Sequence, residues 1–479
     1  MQLSERIVKI FGEIAQVPRQ SKHEEKISAW LVERAKKDGF KVDCDDVKNV
    51  IVHVPATKGF ENGPVVILQG HMDMVCEKTP TSKHNFQTDP IEIIIENGWM
   101  HANETTLGAD DGLGVATALA IAEDDTIAHP ELELLFTVDE ETGMTGANAL
   151  RADQLKGRIL LNLDSEDEGI FTVGSAGGRE TKSTLSLTKS ALAAGSRKVS
   201  IHVSGLLGGH SGCEIHCGRA SAIKLIARIA DRICAEIPDA CLVDIKGGSA
   251  HNAIPRDAQL DIAVQAKDAA RVVEIANEMG KNFASEFKKA DGGVKVDTQV
   301  NDIAGSAFDA AALRNVIDLI LVYPHGVAAM SQDIPGLVET SSNLASVRID
   351  GDTLHILSSQ RSSVPTKLNT LTAKIEAAVR LAGGKAVSDG GYPAWQPDME
   401  SDVLKRCVDA YDKRFGHKPK IEIIHAGLEC SIIGSKMPDM QMISFGATVV
   451  SPHSPQERAE VKTIGMVADF LVDLLASYK

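Results

Sequence analysis

Val65-Val66-Ile67-Leu68-Gln69-Gly70-His71-Met72-Asp73 is the most informative run in the chain. Its apolar start reads as a buried strand, and a histidine able to ligate a metal follows almost directly. Residues 132–138 and 159–163 are apolar runs of the same kind, and residues 112–123 carry Ala, Leu and Ile at helical spacing. Such alternation predicts an α/β fold, a mostly parallel sheet flanked by helices. In open sheets of this type the functional crevice lies beyond the carboxyl ends of the strands. The three runs end on His71-x-Asp73, on Glu140-Glu141 and on Asp164.

Each of these signals has an ordinary explanation when taken alone. His71 and Asp73 could sit in a surface loop, although an imidazole is a good zinc ligand and Asp73 could hold its second nitrogen. Asp110-Asp111 in Gly108-Ala109-Asp110-Asp111-Gly112 could cap the helix that follows. Glu140-Glu141 could be a solvated strand end, or a metal ligand beside a general base. Asp164 opens an acidic loop, and His453 lies between Pro452 and Pro455, which would stiffen its loop.

The rest of the chain falls into two characters. Glycine-rich stretches at 174–178 and 390–398 read as boundaries. Between them strand and helix patterns form two α+β sets, the second beginning after Val296. After them the first pattern returns, with helices at 403–415 and 463–477 and strands at 420–424 and 442–445. The expected arrangement is a discontinuous catalytic domain, residues 1–179 and 392–479, with an inserted α+β lid domain of two halves at 180–391.

Composition narrows the function. With 479 residues, more than one core is expected. A net charge of −16 argues against nucleic acid, which requires clustered Lys and Arg. No stretch approaches the roughly 18–20 apolar residues of a membrane span. The N-terminal 20 residues read as an amphipathic helix rather than a signal peptide, with Ile7, Ile10, Phe11, Ile14 and Ala15 on one face. Eight irregularly spaced cysteines do not form a disulfide framework, so a cytoplasmic location is expected.

The order of the five clusters is more telling than any one of them. His-x-Asp, Asp-Asp-Gly, Glu-Glu, Asp and a late His resemble the cocatalytic-zinc peptidases related to aminoacylases and glutamate carboxypeptidases. The stretches GHMDMV (70–75), TTLGADDGLG (105–114), DEETGMTGA (139–147), NLDSEDEG (162–169), GGHSGCEIH (208–216), HNAIPRDA (251–258), GYPAWQPD (391–398), HAGLEC (425–430) and SPHSP (451–455) resemble one branch, the aminoacyl-histidine dipeptidases. These are also called Xaa-His dipeptidases, peptidase D or cytosolic non-specific dipeptidases.

The resemblance implies two zinc ions per chain, with manganese or cobalt as substitutes. It implies that Asp110 bridges them, that His71 and Asp164 complete one site, and that Glu141 and His453 complete the other. Glu140 is then the general base for a metal-activated water, Asp73 orients His71, and the Asp110–Asp111 peptide is cis. His210 is implied to reach the scissile carbonyl, and Asn252 and Arg361 to hold a dipeptide substrate. Cys213 stands where a small residue is expected. A homodimer is compatible with this reading, with His210 acting in its own chain or across the pair. The alternatives are an N-acyl amino acid deacylase or carboxypeptidase with the same ligands, and a non-enzymatic metal-binding protein. A separate zinc site at His210, Cys213, His216 and Cys217 has spacing too tight for the common zinc modules.

Overall fold

Val66–His71 is buried at all six positions, as a strand covered on both faces must be. In the computed structural model, which describes residues 2–479 apart from Cys213 and Asp333, it is central to an eight-stranded sheet. It pairs in parallel with Leu132–Thr137 on one side and Ile159–Asn162 on the other. Gln441–Ser444 extends the parallel part beyond Ile159–Asn162. The flanks are antiparallel. Val50–Val54 pairs with Leu132–Thr137 and, through a short turn, with Lys41–Cys44, while Ile170–Ser175 meets Gln441–Ser444. Parallel neighbours need long crossovers, so the parallel core coincides with the helix-connected part of the chain.

The crossover from Val66–His71 to Leu132–Thr137 runs through the helix Ala109–Ala122, whose residues are nearly all buried. Its small side chains permit close packing. A Cβ on Gly112 would lie 2.8 Å from the Phe11 ring and 2.6 Å from the Arg19 guanidinium. Phe11 belongs to the N-terminal helix Leu3–Ile14, which buries Ile7, Ile10, Phe11 and Ile14. A small four-stranded sheet includes the hairpin of Val449–Val450 with Arg458–Glu460, and the loop between these strands carries His453.

Two compact units emerge. The first runs to Ser175 and resumes at Trp395–Ile423 and Leu428–Lys479; the second is Ala176–Ala394 with Ile424–Gly427. The second is built on an eleven-stranded sheet. Four strands, ending with Cys241–Gly247, meet four others, starting with Val338–Asp350, through only two residue pairs, Lys246 with Arg348 and Gly247 with Val347. The two α+β sets of the sequence reading thus share one sheet, and one core takes residues from all four long helices, among them Ile226, Ile275, Ile317 and Ile375. The divide after Val296 falls inside a strand, Lys295–Asp302, which pairs back onto Ser196–Ser204 of the first set. Long-range pairing of this kind leaves no local mark. No helix among the described residues is long and apolar enough to cross a membrane.

Candidate metal centre

Strand ends, a helix start and a hairpin loop of the first unit bring five of the side chains singled out above into contact. His71, 1% exposed, places Nε2 3.0 Å from Asp110 Oδ1 and 3.4 Å from Asp164 Oδ1. His453 places Nε2 3.0 Å from Asp110 Oδ2 and 2.9 Å from Glu141 Oε2. Asp110 therefore stands between two groups, His71 with Asp164 and His453 with Glu141, and gives one carboxylate oxygen to each.

Local structure explains these positions. Asp164 lies two residues past the strand Ile159–Asn162. Asp110 and Asp111 open the crossover helix with non-helical backbone angles, and the peptide between them is cis. Asp139, with φ of +53°, turns the chain after Leu132–Thr137 into the short helix Glu140–Gly143. The buried Asp73 carboxylate accepts hydrogen bonds from the backbone N–H groups of Glu140 and Glu141, at 3.1 and 3.3 Å, and from Ser21 Oγ at 2.8 Å. Its Oδ1 also lies 3.3 Å from His71 Nδ1, an ion-pair distance off the hydrogen-bond direction.

The cluster is rich in carboxylates, and its titration shows this. Hydrogen bonds to Asp110 and Glu141 raise the half-exposed His453 imidazole to about 11. Burial lowers His71, but Asp164 and the hydrogen bond to Asp110 outweigh it and hold the ring well above its usual value. Burial raises the carboxyls of Asp164 and Glu140 well above theirs. Such a site takes up cationic charge, as protons or as metal. One Glu141 oxygen is buried with no hydrogen-bond partner. Donor atoms from His71, Asp110 and Glu141 lie within 4.8 Å of one another. A tetrahedral zinc with bonds of roughly 2.0–2.2 Å has ligand–ligand edges of roughly 3.3–3.6 Å, close to the 2.9–3.4 Å observed. Mixed imidazole and carboxylate donors suit zinc and neighbouring first-row metals better than calcium, which takes oxygen ligands. The residues fit a divalent metal.

The sequence profile of Peptidase family M20/M25/M40 matches residues 67–477. The chain belongs to this family. It is 39% identical over 469 residues to the Cytosol non-specific dipeptidase of Escherichia coli (strain K12), covering 97% of this chain and 96% of that protein. The crystal structure of aminoacylhistidine dipeptidase from Vibrio alginolyticus matches with a TM-score of 0.90 and 38% identity, over 99% of this chain and 96% of that one. The aminopeptidase PepT from Bacillus cereus shares the fold at a TM-score of 0.57 and 18% identity, over 98% of each chain.

Two residues that frame the centre of this M20/M25/M40 peptidase were not found from sequence. Arg19, 3% exposed, donates Nη1 to the carbonyls of Met72 and Asp73, at 3.2 and 2.8 Å, and Nη2 to that of Gly108. It ties the His71 loop to the Asp110 turn. Glu457, 2% exposed, accepts the N–H groups of Leu107 and Gly108 on one oxygen and of Ala109 on the other, at 2.8, 3.0 and 2.7 Å. It ties the His453 loop to the same turn. Both bind main chain, which has no residue-type signature; their only mark in the sequence is closeness to the helix Leu3–Ile14 and to SPHSP.

The remaining candidates lie in the second unit. The His210 N–H donates to Glu214 Oε2 at 2.7 Å, its ring Nδ1 accepts from Gly212 N at 3.3 Å, and its backbone bridges to Ala253. Ser211 N donates to the carbonyl of the exposed Asn252 at 2.8 Å, so His210 and Asn252 share one turn. Arg361, 7% exposed, donates Nη1 to the Tyr392 hydroxyl at 2.5 Å. His425 of the HAGLEC stretch, to which the sequence reading assigned no role, binds Ser341 Oγ at 2.7 Å. Burial first, then the charges of Arg361, His210 and His216, push its ring down to about 3. Cys217 Sγ lies 4.0 Å from His216 Nε2, and the Cys213 of the tight zinc alternative lies outside the described residues.

Proposed function

We propose that this protein is a metal-dependent dipeptidase of broad specificity that cleaves dipeptides with free termini, including those with histidine second. The observation that carries the reading is Asp110 shared between two ligand groups, with Glu140 next to one of them. Near-full-length similarity to an enzyme named as a cytosol non-specific dipeptidase supports the substrate class and a cytoplasmic setting.

In this reading Asp110, His71 and Asp164 would hold one zinc ion, and Asp110, Glu141 and His453 a second. Metal bound there would supply Lewis-acid polarisation of the peptide carbonyl and lower the pKa of the attacking water. Glu140 accepts the proton of the attacking water on a carboxylate oxygen. As the C–N bond breaks, it returns that proton to the leaving amine nitrogen. Asp73 keeps the His71 ring in place and, through the N–H groups of Glu140 and Glu141, sets the turn that presents the base. Residues 180–391 serve as the inserted lid. There His210 donates to the developing oxyanion, while Asn252 and Arg361 hold the substrate, Arg361 through its C-terminal carboxylate.

The test is a panel of dipeptides, with histidine first, second or absent, set against N-acyl amino acids and longer peptides. It is run after metal removal and reloading with zinc, manganese or cobalt. The expected outcome is metal-dependent hydrolysis of many dipeptides and little of the others. Preferential cleavage of N-acyl amino acids would transfer the protein to the deacylases, and metal binding without turnover would make it a binding protein.

A further inference from the structure

One fully buried carboxylate of the first unit has no part in this scheme. Glu429 begins the helix Glu429–Lys436 and is 0% exposed. Its Oε2 accepts hydrogen bonds from Gln69 Nε2 at 2.7 Å and from Thr137 Oγ1 at 2.6 Å. Gln69 is two residues before His71, so the two side chains share a face of one strand. Thr137 is the residue paired with His71 on the neighbouring strand.

The contacts continue across the sheet. Gln69 Oε1 accepts from Asn162 Nδ2 at 2.6 Å. Asn162 Oδ1 accepts from Ser444 Oγ and, at 3.4 Å, from the N–H of Asp164. Ser444 Oγ lies 2.8 Å from Ser165 Oγ; with the Ser444 proton given to Asn162, Ser165 is the donor there, its contact with Thr172 Oγ1 at 3.5 Å being the longer alternative. The chain thus has a single direction. From Ser165 through Ser444, Asn162 and Gln69, each group donates to the next, and Thr137 donates from the other side. The last acceptor is Glu429. The four strands it crosses, Leu132–Thr137, Val66–His71, Ile159–Asn162 and Gln441–Ser444, are the parallel core of the sheet. Three of them run directly into His71, Asp164 and the Glu140-Glu141 turn. An Asn or Gln amide inside such a chain has one orientation only while the end acceptor is present.

We propose that Glu429 is a positioning residue, the terminal acceptor of a side-chain hydrogen-bond chain that aligns the strand ends bearing His71 and Asp164. The inference rests on the reading of those two as metal ligands. Both hydrogen bonds fall on Oε2, so an amide oxygen can take them, with the amide nitrogen at the Oε1 position, which has no partner.

The experiment titrates zinc against a chelating dye in the full chain, with circular dichroism as a check of folding. Glu429→Leu should stay folded and bind zinc more weakly, by up to about 10–100-fold, the range for losing a group bonded directly to a ligand. Glu429→Gln should return to within about threefold of wild type, and the visible spectrum of bound cobalt should change in the first variant and not the second. Thr137→Val, close in shape, should weaken zinc binding in the same direction, and it decides the matter if Glu429→Leu does not fold. Wild-type zinc affinity in Glu429→Leu, or in Thr137→Val, overturns the proposal; so does a Glu429→Gln as weak as the leucine variant. Asp110→Ala serves as the control. If it retains both metals the ligand reading itself fails, whereas metal loss in Asp110→Ala with none in Glu429→Leu removes only the positioning role.

Discussion

Replacing Asp110 with alanine is the most discriminating perturbation of the centre. Its two oxygens lie 3.0 Å from His71 and 3.0 Å from His453, so the substitution strips one ligand from each group. With the proposed ligands, each site would keep two, His71 with Asp164 and His453 with Glu141. Beyond the lost bond, each metal so held would lose a negative charge at short range. With an effective dielectric near 20, a unit charge pair about 4 Å apart is worth about 4 kcal/mol, or roughly a thousandfold in affinity. Half-exposed His453 makes that site the more screened of the two, so the loss there is the smaller. Elemental analysis after dialysis against buffered free zinc gives the stoichiometry, and chelator competition gives the two affinities. Wild type should hold about two zinc ions, Asp110→Ala well under one, and His453→Ala about one. Two tightly held metals in Asp110→Ala would refute the bridge, and loss of only one would assign Asp110 to a single site.

Other outcomes follow from the same geometry. Glu140→Gln should keep close to two metals per chain while kcat falls by about two to four orders of magnitude, the range for a lost general base; near-normal turnover or metal loss contradicts the role. His210→Ala should keep its metals and fold while kcat falls by about a hundredfold or more. Mixing it with Glu140→Gln subunits tests for a shared site, since regained activity means that His210 works across a dimer. His425 titrates near 3 in the folded chain against about 6.5 unfolded. As pH falls from 6.5 toward 3 the unfolded chain gains a proton that the folded one refuses. Stability should therefore drop by about 1.4 kcal/mol per pH unit from this residue. Urea unfolding at pH 7, 6 and 5 should show a shallower loss in His425→Gln, and equal slopes would exclude His425 as the source.

Apolar periodicity placed the strands Val66–His71, Leu132–Thr137 and Ile159–Asn162 to within two residues, because strands buried on both faces advertise themselves as unbroken apolar runs. The antiparallel strands of the second unit were less visible. Gly177–Ser186 and Lys385–Tyr392 pair with each other across some two hundred residues, and both begin or end in glycine-rich sequence that reads as hinge. The helix Glu25–Lys37 was also overlooked, since only Ile27, Ser28, Leu31 and Ala35 are buried within a highly charged segment.

Residue types at the strand ends, and their order, are legible along the chain, and with them the chemistry it can support. Histidine, aspartate and glutamate are recognisable as ligands or bases wherever they occur, and strand periodicity tells where a run stops. How they group is set by folding. His71 with Asp164 and His453 with Glu141, each on one oxygen of Asp110, is a matter of side chains converging from separate crossovers and a distant hairpin. The supporting shell was decided there too. Arg19, Glu457 and Glu429 act on backbone groups or on amides brought near by folding, and such contacts depend on distance in space, which spacing along the chain does not encode.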